Sequence, residues 1–152
     1  MPGEHEPKQL IVVGVDGSDP SRDALAWAAG QAALNGSRLR VVMCWQEPVS
    51  YGWPVAYPED FDPELETMAA LRSMVGEVLG EAAAEASELI VEQGHPGPIL
   101  VAAARQADLL VVGNRGHGAF TGMILGSVSE FCAAHSPVPV VIVRHAEPSP
   151  TA

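Results

Sequence analysis

DLLVVGNRGHGAFTGMILGSVSE, residues 108–130, holds an apolar run that breaks into three closely spaced glycines, Gly113, Gly116 and Gly118, before a Gly126–Ser127 pair that reads as the start of a helix. Glycine adopts positive φ without steric cost and lets the backbone approach a ligand with no side chain in the way. Successive N–H groups in such a turn form a concave site for anions. A following helix N-terminus adds about half a positive charge. The stretch therefore predicts a strand, an anion cradle and a helix in that order. Arg115 supplies a planar cation and Ser127 a hydroxyl at the expected helix cap. The lysine that usually completes a nucleotide-hydrolysing loop is missing, because Lys8 is the only lysine in the chain.

Outward from this stretch, four more Val-, Ile- and Leu-rich runs read as strands: LIVVGV (10–15), LRVVMCW (39–45), ELIVEQ (88–93) and VPVVIVR (138–144). Continuous apolar character suits strands covered on both faces. Helices are expected between them. The first has Ser18 or Asp19 as cap, Pro20 in its first turn and Asn35–Gly36 as its stop. The second follows Asp62–Pro63 and carries Leu65, Met68, Val75, Leu79, Ala82 and Ala86 on one face, with Gly76 and Gly80 read as close-packing points. A third follows Gly97–Pro98, and a fourth runs from near Ser127 to before Pro137. Strands alternating with helices give a parallel sheet with right-handed crossovers. The expected fold class is α/β: one domain over residues 8–145, an open parallel five-stranded sheet with helices on both faces, Rossmann-like. Residues 1–7 and 146–152 are expected to be disordered tails.

Composition narrows the function. The 152 residues suit one domain, and 19 acidic against 8 basic side chains give a net charge of −11. That balance opposes binding to a nucleic-acid backbone. No segment resembles a leader or an 18-residue apolar span, so a cytoplasmic protein without membrane contact is expected. Cys44 and Cys132 lack CxxC spacing and read as reduced, buried thiols. His5, His95, His135 and His145 show no metal-ligand spacing, so no metal site made by protein alone is expected. Trp27, Met68, Met74 and Met123 read as packing residues. Residues 46–63, QEPVSYGWPVAYPEDFDP, form one long proline- and aromatic-rich connection, either a surface loop pinned by its aromatics or a flap over a ligand.

A second constellation, VVGVDGSD (12–19), lies at the carboxyl end of the first strand. Ligands of open parallel sheets settle at that edge, where neighbouring strands send their connections to opposite faces. With the first and fourth strands adjacent, Asp16 would face the Gly113–Gly118 loop. A carboxylate beside phosphate is favourable when it meets a ribose hydroxyl or a divalent cation, which makes Asp16 a candidate for either.

Gly113, two residues, Gly116, nine residues and Gly126–Ser127 match the G-x2-G-x9-G-[ST] pattern of nucleotide-binding universal stress proteins. VVGVDGS, ADLLVVGNRG, LGSVSE and PVPVVIV fall in the family's order, so residues 8–145 resemble that family of ATP-binding type. The resemblance implies strand order 3-2-1-4-5 and a bound adenine nucleotide: ATP, AMP or, as in some relatives, cyclic AMP. On that pattern Gly14, Val15 and Asp16 lie near base and ribose, and Val42 and Met43 line the adenine. Val112, Gly113, Asn114, Arg115 and Gly116, with His117 and Gly118, would surround the ribose and phosphates together with Gly126, Ser127, Val128 and Ser129. Mg accompanying the nucleotide would reach Asp16. His117 reads as a solvated loop residue and not as a catalytic one.

The last strand begins near Pro139, which suits a sheet edge. The family resemblance implies a symmetric homodimer through Val138, Val140, Val141, Ile142 and Val143. The implied function is a stress-response regulator or sensor with no or very slow hydrolysis, a regulatory protein partner being left open. A slow ATPase is the enzymatic alternative. The related ATP-pyrophosphatases carry SGGxDS after their first strand, where this chain has GVDGSD.

Overall fold

The computed structural model describes residues 8–47, 49–116 and 124–145. The chain runs β1 (Leu10–Val15), α1 (Asp19–Asn35), β2 (Arg38–Trp45), a hairpin of β3 (Val49–Ser50) and β4 (Trp53–Pro54), then α2 (Pro63–Leu79) and α3 (Glu81–Ala86). It continues through β5 (Glu88–Gln93), α4 (Pro96–Ala104), β6 (Leu109–Gly113), α5 (Ser127–His135) and β7 (Val140–Val143). The main sheet has the order β5-β2-β1-β6-β7, with every pairing parallel. With the hairpin set aside, this is the expected third-second-first-fourth-fifth order. The expected tails and residues 117–123, which include His117, Gly118 and Met123, lie outside the described residues.

Local chemistry accounts for the helix boundaries. Ser18 caps α1 through the Ser21 N–H, Pro20 sits in the first turn, and Gly36 closes the helix at φ 66° with its N–H bonded to the Ala32 carbonyl. Asp62 caps α2 by accepting from the N–H groups of Glu64 and Leu65. The expected single helix to Ala86 stops instead at Gly80, whose φ of 85° and ψ of 165° end α2 before α3 begins. Gly80 thus separates two helices, and Gly76 borders open space, so neither is a close-packing point. α4 starts at Pro96 with His95 as its cap residue, two residues before the expected Pro98.

The pleat divides the core in two. Ile11, Val13 and Val15 pack beneath α1 and α2 against Leu25, Leu71, Met74 and Val75. Leu10 and Val12 face the other way, toward Leu100, Leu110, Val112 and Cys132 under α4 and α5. Trp27 and Met68 pack at the margin of the first layer. Leu25 is fully buried there. Leu25→Ala is expected to lower unfolding free energy by about 2–5 kcal/mol, measured by urea denaturation.

Candidate functional site

The chain leaves β1 toward the α1 face and leaves β6 toward the α5 face, although the two strands are hydrogen-bonded neighbours. Their connections part and open a crevice at the carboxyl edge of the sheet. A cleft of about 490 Å³ occupies that point, within the range for small-molecule sites.

One wall of the cleft is the glycine-bearing edge of β1 and β6. Gly14, Val15 and Asp16 meet Val112, Gly113, Arg115 and Gly116 there. Glycine is required at position 113 because a β-carbon would lie 2.8 Å from the Pro20 backbone at the start of α1. At Gly116 a β-carbon would collide with the Asp16 carboxylate, so Asp16 faces the loop at close range. Asp16 is also oriented from its own side: the Ser18 N–H donates to its Oδ1 at 3.0 Å, and its backbone N–H donates to Ser21 Oγ at 3.3 Å.

The start of α5 packs directly on this segment, with Gly126 against the Arg115 and Gly116 backbone. Gly126, Ser127, Val128 and Ser129 line the cleft. Gly126 is the cap residue and contributes no side-chain cap bond, so Ser127 stands one position inside the expected cap, as the first helical residue. The first N–H groups of a helix have no intrahelical acceptor, and here that helix end borders the cleft beside Arg115. Within a chain of net charge −11, Arg115 and this helix end thus stand beside the Asp16 carboxylate at one edge.

Asn114 has a different place from the one the motif suggests. It is 5% exposed and does not line the cleft. Its backbone N–H donates to the Val143 carbonyl at 2.9 Å, and its carbonyl accepts from the Gly126 N–H at 2.7 Å. Ser129 Oγ donates to the same carbonyl at 3.1 Å. The side-chain amide donates to the Ile124 carbonyl, and its oxygen accepts from the His145 N–H, both at 3.3 Å. One buried residue therefore ties the end of β6 to β7, to the returning end of the loop and to α5.

Met43 is likewise set apart. Successive strand residues face opposite sides, so Val42 lines the cleft while Met43 is buried in the layer under α1 and α2. The same alternation brings in Cys44 and Gln46, which sequence reasoning missed and which the spacing 42, 44, 46 would have revealed. Ser21, His95, Pro96 and Leu100 also border the cleft. They come from other elements, and no local signal marked them. Of the 46–63 connection, Gln46 lines the cleft and residues 49–63 do not.

The Cys44 thiol, pushed up to about 11 by burial and then by Glu92 across the strand pair, stays protonated at neutral pH. Burial raises Cys132 to about 11 as well. Neither thiol is therefore activated as a nucleophile. Among the described residues no group of three or more His, Cys, Asp or Glu side chains could hold a metal ion, and no helix is long and apolar enough to cross a membrane.

Residues 9–144 match the profile of the universal stress protein family. The chain belongs to that family. A universal stress protein of Thermus aquaticus is 32% identical over 138 residues, covering 90% of this chain and 98% of that protein. One from Mycobacterium tuberculosis is 32% identical over 149 residues, and the match spans 92% of this chain but 46% of the relative. The chain thus spans about half the length of that mycobacterial relative. Among solved structures, a universal stress protein in complex with cAMP is 29% identical, with a TM-score of 0.61 and coverage of 91% of this chain and 98% of that one.

In this universal stress protein, Asn114 joins β6, β7, residue 124 and the start of α5 through its hydrogen bonds. Asn114→Ala is expected to cost about 1–3 kcal/mol by leaving buried partners unpaired. Asn114→Asp keeps the acceptor for the His145 N–H but sets a buried carboxylate oxygen against the Ile124 carbonyl, so at neutral pH it should cost at least as much as Asn114→Ala in urea denaturation.

Proposed function

We propose that this universal stress protein binds an adenine nucleotide, ATP or AMP, in the cleft between β1, β6 and α5, and acts as a homodimeric sensor or regulator with no or very slow hydrolysis. The observation that carries the reading is the meeting of a glycine-bearing strand edge, the α5 N-terminus and Arg115 around one cleft of about 490 Å³. Backbone donors of Gly113–Gly116 and of the first turn of α5 would hold phosphates. Asp16 would take the ribose hydroxyls or a cation accompanying the nucleotide. Val42 and Leu100 offer apolar surface for a base. Gly116 leaves the space into which the Asp16 carboxylate turns.

Two features favour holding over turnover. Phosphoryl transfer needs positioned cations and a group that orients the attacking water. The sole lysine, Lys8, precedes β1 and so lies at the amino edge of the sheet, away from the cleft at its carboxyl edge. The neutral thiol of Cys44 is no substitute. Cyclic AMP is the second reading, supported by the ligand named for the 29% identical structure.

Calorimetry with ATP, AMP and cyclic AMP tests the assignment, and Gly116→Ala combined with Ser127→Ala is expected to weaken binding about tenfold or more. No binding of any of the three, or unchanged affinity in the double variant, would remove the reading. Phosphate release with and without magnesium should stay well below about 1 per second, the lower end of ordinary enzyme turnover.

The dimer is proposed through β7. It is an outer strand of the sheet, and its Val140–Val143 side chains are half-buried. An unpaired strand edge is a template for pairing with a second copy. Sedimentation equilibrium should give twice the monomer mass, and a monomer at all concentrations would refute this part.

A further inference from the structure

The connection between β2 and α2 presents aromatic surface that neither the core nor the cleft uses. Tyr51 and Gly52 form the turn between β3 and β4, with φ of 52° and 80°. Two-residue turns with positive φ favour glycine and asparagine, since a β-carbon is crowded there. Tyrosine holds this disfavoured conformation while 100% exposed, and Trp53, paired with Ser50 beside the turn, is 76% exposed. Val55 and Phe61 are exposed farther along the connection, and Leu65 is 68% exposed at the start of α2. Tyr57 stacks on Phe61 at a centroid distance of 4.9 Å, which braces the connection from within.

A strained residue whose side chain touches solvent alone gains nothing for the fold, and such outliers cluster at binding surfaces. Tyr and Trp are also the residue types that dominate binding energy at interfaces. The surrounding charge selects the occupant. Glu47, Glu59, Asp60, Asp62, Glu64 and Glu66 flank the aromatics, and no Lys, Arg or His occurs between Arg40 and Arg72. A second copy would bring the same carboxylates against these, in a chain of net charge −11. Anionic lipid and nucleic acid are repelled for the same reason.

We infer that the hairpin tip and the carboxylates around it form a docking surface for a protein segment that carries Lys or Arg beside apolar side chains. The aromatics would supply the desolvated centre and the carboxylates the steering rim. This surface is separate from the nucleotide cleft, so it stands or falls independently of the proposed ligand.

Selection of short random displayed peptides on the full-length protein tests it. Recovered peptides should combine Lys or Arg with Leu, Phe or Trp, and Tyr51→Ser with Trp53→Ser should weaken them about tenfold. Both positions are exposed, so circular dichroism should be unchanged in the double variant. Glu59→Gln with Asp60→Asn should slow association and flatten its salt dependence. Recovery of no cationic binders, or binding indifferent to the Tyr51 and Trp53 changes, overturns the inference. Self-association abolished by Trp53→Ser would also overturn it and assign the surface to a second copy.

Discussion

The parallel pairing of β1 with β6 is the constraint on which the site depends. Chain connectivity sends α1 to one face of the sheet and α5 to the other, so two adjacent strands end with nothing packed between their continuations. The gap can persist only where the backbone comes close without side chains. Gly113 allows the start of α1 to press against the end of β6, and Gly14 lies against Leu100 of α4. A β-carbon at 113 would meet the Pro20 backbone of α1, and one at 14 would displace the Leu100 side chain that lines the cleft.

A loop that approaches an anion through its backbone must have both ends fixed, because a floppy cradle would lose entropy on binding. Asn114 supplies that fixation from beneath. Its hydrogen bonds reach β7, the His145 backbone N–H, the Ile124 carbonyl and the start of α5. His145 in turn contacts the Asp23 carboxylate of α1 through Nδ1 at 2.6 Å. The outer strand and the candidate nucleotide site are therefore mechanically continuous, and on the proposed reading the dimer edge and the phosphate loop share one set of hydrogen bonds.

Charge is distributed to suit this division. The chain is strongly acidic, yet Arg115 and the α5 N-terminus face the cleft. The carboxylates of the β2–α2 connection flank aromatic side chains that the core does not bury. A small α/β domain thus places an Arg115-bearing cleft and an acidic, aromatic connection on the same carboxyl edge of its parallel sheet.

The strands, their order of appearance, the caps of α1 and α2 and the meeting of Gly113, Gly116, Gly126 and Ser127 at one cleft were legible in the sequence. Each depends on local chemistry: apolar runs, a capping hydroxyl or carboxylate, and glycines at fixed spacing. The family resemblance added the strand order. Gly80 ended a helix that apolar periodicity carried on to Ala86, because periodicity records which face is buried and not whether the backbone turns. Val42 and Met43 were equivalent neighbours until the pleat sent one to the cleft and the other to the core. Asn114 sat inside a binding motif, but its burial made it a clamp. Cys44, Gln46 and His95 joined the cleft because strands and loops distant in the chain converge at one sheet edge. Tertiary structure decides such matters because side-chain direction and long-range contact are set by the packing of the whole sheet, which no local stretch encodes.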